Sequence, residues 1–281
     1  MKPYTLGIYE KAMPQEWDWP EKMAHAKAAG FDYIEMSVDE TASKQERLLW
    51  TPDERRAFCR YTIDGLPVTS ICLSAHRGSP IGSHHADIRA RGMEIMTRAI
   101  ELAYDLRISY IQLAGYDVYY NETSDAESKK YFTENLAKAA YMAAPYGIML
   151  GMETMENDFL NTVAKGMEYV KLVNSPYLGM YPDVGNISNA GVDVQEDLLT
   201  GWGHTYSAHL KETVEGVFRD MEFGTGRVDF KGAVRTLNRM GVTRWTAECW
   251  YKPHMDPEKL LESTYTYLTG QIREVLTGEG E

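Results

Sequence analysis

The chain has 281 residues, enough for one large α/β barrel or for two ordinary domains. With 44% hydrophobic and 25% charged residues it has the make-up of a globular protein, and no apolar run approaches the ~20 residues of a membrane-spanning helix. A formal net charge of −12, with no cluster of Lys and Arg, excludes a broad nucleic-acid surface, which needs a basic stripe. Three cysteines, Cys59, Cys72 and Cys249, form no CxxC pair and make a poor disulfide framework. The N-terminus, MKPYTLGIYEK, lacks the regions of a signal peptide, and a cytoplasmic location is expected.

A short apolar run, a polar loop and a longer amphipathic segment recur along the chain. The runs begin with TLGIY (5–9) and YIEMSV (33–38), separated by a helix over Trp19–Ala29 that Gly30 ends. Thr51 reads as an N-cap with Pro52 at the first helical position, and VTSICLS (68–74) follows that helix. Ile88–Leu106 repeats its apolar residues at helical spacing and leads into YIQLAG (110–115). Lys130–Ala144 ends near Gly147, before IMLGME (148–153). LGMYPD (178–183) and YSAHL (206–210) come next, then a helix over Phe230–Met240, RWTAEC (244–249), and a closing helix over Pro257–Leu276. The eight runs have the length and the β-branched and aromatic content of buried strands. Eight strands alternating with helices predict a single (β/α)8 TIM barrel over residues 1–281. A doubly wound sheet is the alternative, but LGIYEKA lacks the GxGxxG that fold often carries after its first strand.

Four of these runs carry, at their end or one residue before it, a polar residue in a place that is costly without a partner: Glu153, Asp183, His209 and Glu248. The separations of 30, 26 and 39 residues are about one βα unit each, so neighbouring strands bring the four to one barrel mouth. Two Glu, one Asp and one His make a hard oxygen and nitrogen shell for one divalent cation, Mn²⁺, Mg²⁺, Co²⁺ or Zn²⁺. His209 alone, between Ala208 and Leu210, reads as a core histidine; its register with the other three makes it a ligand. Cys249 belongs to the opposite face of its strand from Glu248.

The motifs LGIYEKAMP (6–14), FDYIEMSVDE (31–40), SICLSAHRGSPIGS (70–83), IQLAGYDVYY (111–120), YPDVGN (181–186) and FGTGRVDF (223–230) carry a resemblance over nearly the full length. The chain resembles the xylose isomerase-like barrels, and within them the L-xylulose 5-phosphate/L-ribulose 5-phosphate 3-epimerases. The resemblance implies that Glu153, Asp183, His209 and Glu248 hold the metal, and that Glu153 and Glu248 also act as acid and base on opposite faces of the sugar. Epimerisation at C3 of a ketose removes a proton α to the C2 carbonyl and returns one to the other face through an enediolate, which a cation stabilises as a Lewis acid. The two carboxyls then carry one proton between them.

Second-tier candidates are His76 for a substrate hydroxyl, and Arg77, Lys211 and Arg227 for a phosphate, with N–H donors near Gly224 and Gly226. Glu35 and Gln112 are placed to orient substrate or ligands. Related free-ketose epimerases carry a histidine three residues after the metal Asp and an arginine six after the metal His. Here those positions are Asn186, which joins the candidate substrate contacts, and Glu215. Both departures favour a small phosphorylated ketose. A homodimer and a place in L-ascorbate or pentose catabolism are further implications of the resemblance. The alternatives are another ketose epimerase or an aldose–ketose isomerase on the same metal, an endonuclease IV-like hydrolase, for which the net charge is wrong, and a non-enzymatic sugar-binding barrel.

Overall fold

The computed structural model describes residues 2–278. Eight strands follow in chain order: β1 (Thr5–Tyr9), β2 (Tyr33–Val38), β3 (Val68–Leu73), β4 (Tyr110–Ala114), β5 (Met149–Glu153), β6 (Leu178–Tyr181), β7 (Ala208–Leu210) and β8 (Arg244–Ala247). All pair in parallel, in the order β6-β5-β4-β3-β2-β1-β8-β7. The ring joins between β6 and β7 through single bridges, Met180 to Thr205 and Asp183 to His209. Three backbone bonds mark that joint: Met180 N to His204 O (2.7 Å), Tyr206 N to Met180 O (3.1 Å) and His209 N to Pro182 O (2.9 Å). Gly179 permits it, because a Cβ there would lie 2.3 Å from the His204 carbonyl oxygen.

The principal helices form the outer layer: α1 (Trp19–Ala29), α2 (Ala42–Gln45), α3 (Pro52–Asp64), α4 (Ala86–Asp105), α5 (Ala126–Ala143), α6 (Val163–Val173), α7 (Val184–Ile187), α8 (Val194–Thr200), α9 (Phe230–Arg239) and α10 (Pro257–Thr277). This is the expected TIM barrel. Asp18 and Thr51 cap α1 and α3, each in a reciprocal box with a glutamate three residues on. The sequence reading names no helix between β5 and β6, yet α6 stands there. Its mid-helix Gly166 obscures the pattern, and the reason for that glycine is tertiary: a Cβ would fall 2.4 Å from the Met180 Cε of β6. The Thr162 hydroxyl and the Asp197 carboxylate receive the first N–H groups of α6.

Strand period two divides the residues between two environments. Leu6, Ile8, Ile34, Met36, Ile71, Leu73, Ile111 and Leu150 pack outward into the apolar layer beneath the helices. The inward positions are largely polar: Glu35 pairs in register with Ser70, Cys72 with Gln112, and His209 with Thr246. The barrel therefore keeps its hydrophobic core between sheet and helices, and its chemistry on the axis.

At the exit of β1, Glu10 is buried and gathers three cations. It accepts from Lys22 Nζ (3.0 Å), Lys44 Nζ (2.6 Å) and Arg47 Nη2 (2.7 Å), and from the Ser37 amide (2.9 Å). These contacts tie the first two βα connections to α1. Burial alone would raise the Glu10 carboxyl, but Arg47, then Lys22 and Lys44, hold it well below the ordinary carboxylate range. A depressed native value adds stability above the unfolded value and loses it as pH falls through the native one. We expect Glu10→Gln, which strands three buried cations, to cost about 3–5 kcal/mol at neutral pH in urea unfolding. The gap between wild type and variant should shrink as pH falls below roughly 4.

Candidate active site

The four residues singled out at strand ends meet at the C-terminal mouth of the barrel. Glu153 ends β5, Asp183 lies two residues past β6, His209 sits within β7, and Glu248 follows β8. All four are buried, and one donor atom from each lies within 4.8 Å of the others. The backbone holds each in place. Asp183 N donates to Thr154 Oγ1 (2.9 Å), the Asp183 carboxylate caps α7 by accepting from Asn186 N (3.0 Å), and Glu248 N donates to Leu210 O (2.9 Å).

His209 Nδ1 is 2.8 Å from Glu153 Oε1 and 3.6 Å from Glu248 Oε2; Nε2 is 2.5 Å from Glu35 Oε1. Gln112 Nε2 donates to the other Glu153 oxygen. The Lys211 ammonium lies 2.6 Å from Asp183 Oδ2 and 3.4 Å from Glu248 Oε2. Neither oxygen accepts a well-directed hydrogen bond, although both are buried. The ammonium is close as a charge and badly aimed as a donor, so these two oxygens are the ones with coordination to spare.

Among the described residues, only His209 and Lys211 come within ion-pair distance of the four buried carboxylates, Glu35 included, and protons make up part of the deficit. Burial raises the Asp183 carboxyl to about 7 against the pull of Lys211, and raises Glu153, with the Glu248 charge adding to it. Burial also acts on Glu248, but Lys211 and then His209 outweigh it and bring that carboxyl down to about 2. Burial would lower His209; Glu35, Glu248 and Glu153 together carry it well above its ordinary value. Surplus negative charge, two under-bonded carboxylate oxygens and a mixed oxygen and nitrogen donor set fit a divalent cation, which would replace those protons.

The second-tier residues separate. Lys211 is in the cluster. Arg77, at the exit of β3, turns toward the mouth: its guanidinium lies 5.8 Å from the Tyr116 ring and feels the Glu153 charge. Its Nε is buried without a hydrogen-bond partner, and among the described residues no carboxylate comes within ion-pair distance. His76 turns away, with Nε2 3.1 Å from the Gly92 carbonyl of α4; burial brings it down to about 4, so it is neutral. Asn186 supports the site from below, donating to Thr154 O (2.8 Å). Arg227 is exposed and donates to Ser188 O (2.9 Å), on the flank of the mouth. Cys249 faces α10, 3.8 Å from Thr264 Oγ1, on the side away from Glu248 as expected.

Two residues escaped the sequence reading. Tyr181 donates to Glu35 Oε2 (2.8 Å) and packs edge-on to His209. Its position two residues before Asp183 in LGMYPD was the available signal, since period two puts both on one face. Arg219, on the long β7–α9 connection, lies over the Trp250 ring and helps hold Glu248 low; an exposed loop arginine carries no pattern that marks it.

The family model for xylose isomerase-like TIM barrels matches residues 23–269. The chain is 42% identical over 258 residues to the L-ribulose-5-phosphate 3-epimerase UlaE of Shigella boydii serotype 18 (strain CDC 3083-94 / BS512), covering 91% of this chain and 90% of the relative. It shows the same identity and coverage with UlaE of Escherichia coli (strain ATCC 8739 / Crooks). Among solved structures, an L-ribulose 3-epimerase superposes with a TM-score of 0.81 at 21% identity, over 98% of this chain and 97% of that one.

Cation binding is measurable without substrate. Mn²⁺ or Zn²⁺ at about 100 times its Kd should stabilise the native chain by about 2.7 kcal/mol, read as a rise in unfolding temperature. Asp183→Asn should abolish most of that rise; an equal rise in the variant would remove Asp183 from the ligand set.

Proposed function

This chain belongs to the L-ribulose-5-phosphate 3-epimerase family of xylose isomerase-like TIM barrels and is an isomerase, and from that premise we propose that it interconverts L-ribulose 5-phosphate and L-xylulose 5-phosphate with a divalent metal. The observation that carries the reading is the placing of Glu153 and Glu248. β5 and β8 stand three strands apart around a ring of eight, so the two carboxyls reach one small volume from nearly opposite walls. Inverting a carbon by proton transfer needs that arrangement: one carboxylate takes the C3 proton, and the opposed carboxylic acid supplies another to the far face.

Their surroundings suit divided duty. Burial and the Glu248 charge raise Glu153 against the pull of His209, whereas Lys211 and then His209 hold Glu248 low, so the two carboxyls are pushed apart as an acid and a base require. Glu153, Asp183, His209 and Glu248 would hold the cation. A bound divalent cation supplies Lewis-acid stabilisation of the negative charge that develops on the sugar oxygens. Lys211, among these carboxylates, offers a second positive charge to the same oxygens. Arg77 provides an unpaired guanidinium at the mouth for a phosphate.

Incubation with either pentulose phosphate in D₂O should place deuterium at C3, followed by NMR; no incorporation with Mn²⁺ or Zn²⁺ present overturns the epimerase reading. Glu153→Gln and Glu248→Gln should each lower kcat by roughly 10²–10⁴-fold while leaving the unfolding midpoint close to wild type. For Arg77→Met, the expected change is a rise of roughly 10–100-fold in KM for the phosphorylated ketose, with turnover of the unphosphorylated sugar unaffected. Equal losses on both sugars would take the phosphate away from Arg77.

A further inference from the structure

The inward face of β2 carries a carboxylate that the ligand set does not use. Glu35 is fully buried, and both its oxygens are engaged. Oε1 lies 2.5 Å from His209 Nε2, and Oε2 accepts from Tyr181 Oη at 2.8 Å. Tyr181 Oη is in turn 2.9 Å from Thr246 Oγ1, and that atom is 2.8 Å from Tyr33 Oη, whose hydroxyl also reaches the Trp245 carbonyl at 2.8 Å. The carboxylate is therefore built into a polar chain that crosses the barrel beneath the mouth. Tyr181 packs against the imidazole with centroids 5.0 Å apart and rings inclined at 67°.

A carboxylate can only accept, so each ring nitrogen carries a proton while a carboxylate faces it. The two nitrogens differ in what they face: Nε2 meets Glu35, which lies outside the ligand set, whereas Nδ1 is turned toward Glu153 and Glu248, at 2.8 and 3.6 Å, which belong to it, so Nδ1 is the nitrogen whose proton a cation held there would displace. We propose that Glu35 is a positioning residue that fixes the ring orientation and tautomer of His209, so that the metal is bound through Nδ1 while Nε2–H stays on Glu35. The inference rests on the metal reading given above and goes beyond it in assigning the nitrogen and the residue that selects it. Glu35 itself touches neither substrate nor metal. Partners of this kind orient ligating histidines and make them more basic, and losing one typically weakens metal affinity 10–100-fold.

The test uses the full chain, stripped of metal and titrated with Zn²⁺ by calorimetry, beside ¹⁵N-histidine spectra of the zinc-loaded protein. Wild type should show His209 coordinated at Nδ1 and protonated at Nε2. Glu35→Met, similar in length but without a strong acceptor, should bind Zn²⁺ 10–100-fold more weakly and lose the single tautomer, with its unfolding still cooperative. Tyr181→Phe, which removes one donor from Glu35, should weaken binding by a smaller factor. Zinc on Nε2 in wild type overturns the proposal even if neither variant folds. So does wild-type affinity and tautomer in Glu35→Met. Failure of wild type to bind Zn²⁺ or Mn²⁺ at all overturns the metal reading, and the proposal with it, and is told apart from the other outcomes by the wild-type titration alone.

Discussion

Holding Glu35, Glu153, Asp183 and Glu248 out of water at one end of the barrel is the constraint on which the rest of the site depends. Each carboxylate costs several kcal/mol to desolvate unless a cation or well-aimed donors compensate it. Compensation by His209 and Lys211 falls short of four charges, and the shortfall appears in two forms: a carboxyl, Asp183, raised to about 7, and oxygens left without directed donors. A fold that wanted only stability would fill the same axis with Val, Ile and Leu, as the outer faces of these strands do. The polar axis is thus a cost borne for chemistry, and the helix–sheet layer supplies the stability that offsets it.

The contrast with Glu10 shows what a settled buried charge looks like. There three cations and a backbone amide surround one carboxylate, every oxygen is served, and the carboxyl is driven well below its ordinary range. At the mouth the ratio is reversed, with acids outnumbering cations. The first arrangement fastens loops; the second is poised to exchange protons for another cation.

Much of this was legible in the chain. Each of the eight strands lies within its run, most within one residue of it at either end, because short β-branched and aromatic stretches between glycine turns have few other structures open to them. The ligand set was legible because a polar residue ending an apolar run is locally unreasonable and four at one spacing share a cause. What stayed hidden depended on tertiary contact. Gly166 looks like a helix breaker until Met180 is seen against it. His76 and Arg77 are adjacent in sequence, but a short helical turn sends one against α4 and the other toward the mouth. Arg227 and Arg219 lie on the same connection, and only the packing of that loop on Trp250 distinguishes them.

The joint between β6 and β7 gives the site a mechanical meaning. Elsewhere neighbouring strands pair over three or more residues; here the ring is held by isolated bridges, and one of them pairs Asp183 with His209. The barrel resembles a hoop with a clasp, and the clasp is made of two of the residues that face the cavity. A cation held by both side chains would span the split in the hoop. The same two residues thus serve the closure of the ring and the floor of the cavity, and a substitution at either one touches both.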